Sequence, residues 1–121
     1  MEPISWPAPL TLPSWALGLS WGVSLATLRA AGPGAELEAQ PPITRWAFVD
    51  PVGLRGIALQ ATAVLELDTL VRIELDGPLD QLALAGFGVD ATGYTRTHDH
   101  ETSVEVDALD GRIALEHREA P

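Results

Sequence analysis

The side chains best suited to chemistry are concentrated in residues 97–101, which read Thr-His-Asp-His-Glu. Two histidines separated by one residue lie on the same face of a β-strand, about 6.6–7 Å apart at Cα. At that spacing both imidazoles reach a single divalent metal ion, since neutral imidazole is a common ligand of zinc and other transition metals. This pattern makes His98 and His100 the candidate metal ligands of the chain.

The spacing around these histidines resembles a known metal-binding motif. Gly93, four residues, His98-x-His100, four residues and Glu105 are similar to the first metal-binding motif of the cupin family, whose interval from glycine to first histidine is one residue longer. The family's second motif, with its Pro, Gly and final Asn, does not follow, and the chain contains no Asn. Cupins are double-stranded β-barrels that hold a divalent metal. The resemblance therefore implies a metal-binding barrel that uses His98 and His100.

The expected C-terminal hairpin bears on this hypothesis. If residues 110–111 (Asp-Gly) form a two-residue type I′ turn, Val104 lies opposite His117 and Glu105 faces away from the histidine pair. Glu105 then joins the pair only through a β-bulge. His117 lies about 13 Å along the strand from His100, too far to share a metal bound at about 2.0–2.1 Å. The alternative is that the histidine stretch is the polar end of a strand, or an exposed turn.

Other catalytic arrangements are missing from the sequence. The chain has no Cys, which excludes disulfides, thiolate metal sites and thiol nucleophiles, and no Lys for a Schiff base or a phosphate-binding loop. No Ser lies in a nucleophile elbow, and residues 86–88 (Gly-Phe-Gly) lack the third glycine of a dinucleotide fingerprint. We therefore expect no catalytic residue and no cofactor, with a divalent metal as the alternative.

Composition limits the partners. The 121 residues include 17 Asp and Glu against 7 Arg, for a net charge of −10. Such a surface repels nucleic-acid backbones and anionic membranes, so we expect neither as a partner. The absence of Lys and Asn is typical of a GC-rich bacterial genome. At 46% hydrophobic residues, the chain is long and apolar enough to fold as one domain that buries about two-thirds of its surface.

The charge is unevenly distributed along the chain. Residues 1–60 contain four acids and three bases, whereas residues 61–121 contain thirteen acids and four bases. Residues 3–28 carry no ionisable side chain, but prolines, strict alternation and the lack of a basic leader argue against a membrane span or signal peptide. We expect a water-soluble protein of the cytoplasm, or a component of a virion or other assembly. The alternation of large and small residues predicts a strand over residues 15–26.

Short alternating runs separated by Gly, Pro and Asp recur down the chain. They predict strands near residues 43–49, 57–68, 71–76 and 82–89, another from about Tyr94, and a final hairpin. The expected fold is all-β: a single-domain antiparallel β-sandwich or small barrel of about 7–8 strands over residues 14–121. An extended N-terminal arm with Pro and Trp, residues 1–13, precedes it, because its prolines prevent a helix or central strand.

The arm and the uncharged strand suggest how the protein works. Their apolar side chains either pack on the same domain or dock on another chain, where Trp is a favoured anchor. We predict a non-catalytic binding or structural module that acts through protein–protein association, such as a structural subunit, an accessory protein or an immunity-type inhibitor. Its partner is another protein or a second copy. The alternatives are a cupin-like metal-binding enzyme and a lipocalin-like carrier of an apolar ligand. The predicted contact residues are Trp6, Leu10, Leu12, Trp15 and Trp21.

Overall fold

The computed structural model describes residues 3–7, 10–37, 40–78, 94–99, 101–107 and 110–117, with the backbone alone described for 94–99. These residues form strands joined in one curled antiparallel sheet, so the all-β class is confirmed. A 3-10 turn at Ser14–Ala16 and one helix, α1 (Leu25–Ala31), are also present. The strands are β1 (Leu10–Thr11), β2 (Gly34–Glu36), β3 (Ile43–Phe48), β4 (Val52–Leu54), β5 (Ile57–Glu66), β6 (Thr69–Asp76), β7 (Tyr94–Asp99), β8 (Thr102–Asp107) and β9 (Arg112–His117).

The long strand β5 organises the sheet. The strand order is β1-β4-β5-β6-β9-β8-β7, and β2 pairs with β3. One edge of β5 pairs with β4 near its start and with β3 near its end, while β6 covers the other edge. The acidic strands β8 and β9 are therefore separated from β4 by β5 and β6.

Two tight turns set the register of β4, β5 and β6. Arg55 and Gly56 have φ of 49° and 85°, and Leu67 and Asp68 have φ of 50° and 60°. Positive φ at both central residues is the signature of a type I′ turn, whose twist matches that of the strands it joins. Each loop therefore holds its flanking strands in hairpin register, Leu54 opposite Ile57 in the first and Glu66 opposite Thr69 in the second.

The alternation of apolar residues that predicts β5 is confirmed by how the strand packs. The odd-numbered residues from Leu59 to Leu65 are all 0% exposed, so they form one continuous inward face. The register shifts where Val64 pairs with Arg72 but Leu65 pairs with Leu70, which leaves Val71 as the extra residue of a β-bulge. Leu67, which the alternation extended into the strand, is 78% exposed because it lies in the turn.

The strand predicted over residues 15–26 is wrong. In its place the chain forms the 3-10 turn, an irregular stretch and the start of α1. Gly18 and Gly22 have φ of 78° and 85°, which interrupts an extended backbone. The Ser24 hydroxyl accepts a hydrogen bond from the Thr27 amide at 3.4 Å and caps α1, a signal that the alternation concealed.

The first turn of α1 is also held by the sheet. The Asp68 carboxylate, in the second type I′ turn, accepts a hydrogen bond from the Leu25 amide at 3.0 Å. A negative charge at this end of a helix stabilises the amides that lack an intrahelical acceptor. The β5–β6 turn thereby fixes where α1 begins.

The N-terminal segment, residues 3–7 and 10–31, adds β1 to the sheet and packs its large side chains against the other strands. Its large side chains join a single core with residues of β3, β5, β6, β8 and β9. Trp15, Trp21 and Leu28 are 2%, 1% and 0% exposed. The N-terminal segment therefore supplies part of the hydrophobic core.

The final hairpin has the predicted faces but a different register. Val106 pairs with Ile113 and Val104 with Leu115, so the strands are shifted by two residues from a turn closed at Asp110-Gly111 alone. A shift of two preserves which side chains share a face. The Asp107 carboxylate accepts a hydrogen bond from the Asp110 amide at 3.2 Å, which favours a longer loop between Asp107 and Arg112.

Two short strands, β2 and β4, are not among the strands predicted from the sequence. Residues 34–36 and 52–54 lie in stretches rich in Gly and Pro between the predicted strands, yet they form β2 and β4. The prediction of a strand beginning near Tyr94 is confirmed by β7. The strand predicted over residues 82–89 lies outside the described residues.

Candidate functional site

The histidine stretch is not one continuous strand. β7 ends at Asp99, which pairs with Thr102, so β7 and β8 are two strands of a hairpin. His98 pairs with Ser103 in the backbone register, and His100 lies outside the described residues. Within the ranges that the structure describes, no group of three or more His, Asp and Glu is placed to hold a metal. Metal binding by His98 and His100 stays a prediction.

His117 has partners of its own. Its Nε2 lies 3.0 Å from Glu101 Oε2, and its ring stacks on Trp21 with the centroids 5.6 Å apart. In the backbone it pairs with Thr102. These contacts place His117 where the N-terminal segment meets the β8–β9 hairpin.

The Thr102 hydroxyl links the same two parts of the molecule. This residue is 0% exposed, and its Oγ1 accepts hydrogen bonds from the Trp21 indole at 3.0 Å and from the Ser5 amide at 3.1 Å. Both donors belong to the N-terminal segment. Thr102 is therefore the buried acceptor that holds that segment to β8.

The predicted contact residues divide into two groups. Leu10, Trp15 and Trp21 lie in the core of this chain, which leaves little of their side chains for another molecule. Trp6 and Leu12 are only partly buried against that core. Packing on the same domain, the first of the two alternatives, thus describes Leu10, Trp15 and Trp21. Sequence alternation alone did not separate the two groups, because it carries no information on which side chains the sheet covers.

Trp15 ties the N-terminal segment to the β3–β4 turn. Its indole N–H donates to the Asp50 carbonyl oxygen at 2.8 Å, and its ring is stacked on Phe48 with the centroids 3.8 Å apart. Trp6 packs against it edge-on at 6.1 Å. This contact brings the 3-10 turn and the β3–β4 turn together at one end of the molecule.

A network of ion pairs lies on the outer face of the sheet. Glu74, 8% exposed, binds Arg45 at 2.8 Å and both Arg72 and Arg112 at 3.3 Å. These three arginines come from β3, β6 and β9, strands that are not all neighbours. The network therefore links β3, β6 and β9 on the outer face of the sheet.

The arginines of this network are already matched by carboxylates. Arg112 also binds Asp76 at 2.9 Å, and Arg72 binds Glu116 at 2.8 Å. The hydrogen bond to Asp76, together with the attraction of Glu74, raises the pKa of the Arg112 guanidinium against the opposing effect of burial. Because each guanidinium is paired, we interpret the network as structural and not as an anion-binding site.

A groove of about 390 Å³ lies beside β1 and β4, and we call it the β4 groove. It is shallow and largely open to solvent. At Gly53 a β-carbon would lie 3.2 Å from Thr11 Cβ, so the glycine lets β1 approach closely. None of its lining residues is ionisable: Thr11, Leu12, Pro13, Pro51, Gly53, Gly56, Ile57 and Ala58.

Two exposed apolar side chains lie a few residues along the chain from the groove residues. Leu17 and Val49 are each 67% exposed. Leu17 follows the groove residue Pro13 by four positions, and Val49 precedes the groove residue Pro51 by two. The Trp15 contacts hold both segments at the same end. We call the β4 groove together with Leu17 and Val49 the apolar end.

Comparison with known proteins finds no family model, curated protein or solved structure that matches the chain. The part of the chain that the structure describes contains no helix with the length and apolar character needed to cross a bilayer.

Proposed function

We propose that this protein is a non-catalytic binding module that associates with a protein chain through the apolar end. The observation that carries the proposal is a groove without ionisable lining residues on a chain of net charge −10. The exposed side chains of Leu17 and Val49 lie a few residues along the chain from its walls. Apolar surface next to a formed groove is typical of protein contact sites.

The proposal keeps the predicted mode of action but moves its location. Trp15 and Trp21 serve as internal supports of the fold, whereas Leu12 forms part of the groove wall. Pro13 and Pro51 are stiff, and the type I′ turn at Gly56 holds the end of β4 and the start of β5. A preformed wall of this kind lowers the entropy lost when a partner docks.

The two alternative functions have less support. A lipocalin-like carrier needs an open cavity inside its sheet, and here Trp15, Trp21 and Leu28 join one core with the strand residues. A cupin-like metal site depends on His98 and His100, whose side chains lie outside the part of the chain that the structure describes, so it stays a prediction from the sequence. Stoichiometric metal in the purified protein that is lost in His100→Ala would favour that second function instead.

The test is an NMR titration of the labelled protein with a capped, uncharged Pro-Leu-Pro-Leu peptide. We expect amide shifts confined to the groove residues, with a Kd of about 1 mM or tighter. Ala58→Glu, an exposed change within the groove, abolishes them, while Leu67→Glu, the same added charge in the distant β5–β6 turn, does not. Shifts that are absent at about 5 mM peptide, or equal in both variants, overturn the proposal.

A further inference from the structure

We propose that a second pocket of this protein, on the outer face of the sheet, binds an arginine side chain of a partner protein. The pocket has a volume of about 370 Å³ and is lined by residues of β3, β5, β6 and β9. We call it the outer pocket. It uses residues from the end of β5, whereas the β4 groove uses residues from the start of that strand, so the inference does not depend on the function proposed above.

Apolar side chains form part of the wall of the outer pocket. Ile43 and Val71 are half-buried, and Val64 is 6% exposed. Val71 is the extra residue of the β-bulge in β6, and a bulge bends its strand and redirects side chains. A long basic side chain covers apolar surface with its methylene groups while its charged end stays near water. The wall therefore suits the stem of such a side chain.

The charged side chains around the outer pocket leave one carboxylate unmatched. The three arginines of the outer-face network are balanced by three carboxylates, those of Glu74, Asp76 and Glu116. Glu66 also lines the pocket and is exposed, and it has no ion-pair partner among the residues that the structure describes. The pocket thus has a surplus of negative charge, which a cationic ligand complements.

The spacing of the carboxylates favours a guanidinium over a smaller cation. Glu116 pairs with Arg72, which pairs with Val64, two residues before Glu66 on β5. Glu66 and Glu116 are thus separated by two strand spacings, about 10 Å at Cα, too far for both to hold one metal ion. A guanidinium is planar and presents five N–H donors, so it can bond carboxylates on two sides, whereas a lysine ammonium is a compact point charge.

An arginine within a protein suits the outer pocket better than the free amino acid does. Free arginine carries its own carboxylate, which a chain of net charge −10 repels. In a protein chain, neutral amide groups take the place of that carboxylate. The partner we infer is therefore a protein that presents an exposed arginine.

The test is an NMR titration of the labelled full chain with a capped Gly-Arg-Gly peptide. We expect amide shifts at the outer pocket with a Kd of about 10 mM or tighter. The same peptide with citrulline, which resembles arginine in shape but is uncharged, should bind about fivefold more weakly or worse. Equal binding of the two peptides overturns the inference, as does an absence of shifts at about 50 mM peptide.

Two variants separate the outer pocket from the overall charge of the chain. Glu66→Gln removes the unmatched carboxylate and is expected to raise the Kd about threefold or more. The control, Asp50→Asn, removes the same charge from an exposed residue of the β3–β4 turn and leaves the Kd unchanged. If both variants raise the Kd equally, net charge alone attracts the peptide and the inference is wrong. Circular dichroism confirms that each variant is folded.

Two further measurements identify the source of the arginine. Free L-arginine should bind more weakly than the capped peptide, and equal or tighter binding would reject the protein partner in favour of the amino acid. Arg118 directly follows the pocket residue His117 in the chain. Peptide shifts that appear only in Arg118→Gln would identify this chain's own arginine as the occupant and reject the partner as well.

The two peptide titrations keep this inference and the proposed function separate. The uncharged Pro-Leu-Pro-Leu peptide tests the β4 groove, and the arginine peptide tests the outer pocket at the other end of β5. Either titration can fail while the other succeeds, and each failure rejects only its own site.

Discussion

Thr102 offers the sharpest test of how the N-terminal segment is held. Replacing it with Val preserves the shape of the side chain and removes the acceptor for the Trp21 indole and the Ser5 amide. The indole is 99% buried, since Trp21 is 1% exposed, and an unsatisfied buried donor destabilises a protein by about 1–3 kcal/mol. The partly exposed Ser5 amide adds less because water replaces its acceptor. We expect a loss of about 2–4 kcal/mol in the free energy of unfolding.

The matched control is Thr102→Ser, which keeps the hydroxyl and removes only a buried methyl group. It is expected to destabilise the chain by about 1 kcal/mol. A domain of this kind has a total stability of about 5–15 kcal/mol, so both changes leave a folded protein to measure. Comparison of the two variants isolates the contribution of the oxygen acceptor.

Urea unfolding followed by tryptophan fluorescence measures both effects. At a slope of about 2 kcal/mol per molar urea, Thr102→Val lowers the midpoint by about 1–2 M. Combining it with Trp21→Phe, which removes the indole donor, reduces the effect of Thr102→Val by about 1 kcal/mol. If Val and Ser variants unfold within about 0.5 kcal/mol of each other, the hydroxyl does not hold the segment and the reasoning is refuted.

Three further substitutions test other contacts. Trp46→Phe removes an indole N–H that is buried without a hydrogen-bond partner, whereas Trp15→Phe removes one that is bonded to the Asp50 carbonyl oxygen. In urea unfolding we therefore expect the Trp15 variant to be less stable than the Trp46 variant by about 1 kcal/mol or more. Equal stability of the two variants would contradict this expectation. Gly34→Ala places a β-carbon 2.5 Å from the Ala47 carbonyl oxygen and 2.7 Å from the Trp46 ring, where backbone cannot yield. We expect a loss of about 2 kcal/mol or more in thermal unfolding, and a neutral result would show that β2 shifts freely.

The strands around β5 were predictable because their pattern and their environment agree. A period of two with small or aliphatic residues at Leu59, Ala61, Ala63 and Leu65 specifies which face is buried, whatever the strand packs against. The fold class followed from several such runs. The bulge at Val71 could not be predicted from these runs, because it depends on how β6 pairs with β5.

The segment over residues 15–26 shows why the same pattern failed elsewhere. Its large residues are mostly buried, as the alternation predicted, but its small residues include Gly18 and Gly22, which adopt positive φ. The alternation of large and small residues indicates which side chains are buried, but it does not determine the backbone conformation. An irregular chain that winds across an inner sheet face can bury the same side chains as a strand.

The candidate site illustrates the same division. The uncharged composition of the first half of the chain and the abundance of acids in the second can be read from the amino acids alone. The groove cannot be predicted from the sequence, because it forms where the paired strands β1 and β4 bring Pro13 and Pro51 together. These two residues are 38 positions apart in the chain.

Local chemistry thus determined the β class, the inward faces of the strands and the absence of thiol and amine chemistry. Tertiary structure decided the conformation of the N-terminal segment, the register of the last hairpin and which apolar residues stay exposed. The hairpin shows the physical reason: two registers that differ by two residues bury the same faces, and contacts from outside the hairpin, such as the Gly77 amide bonded to the Gly111 carbonyl at 3.0 Å, distinguish them.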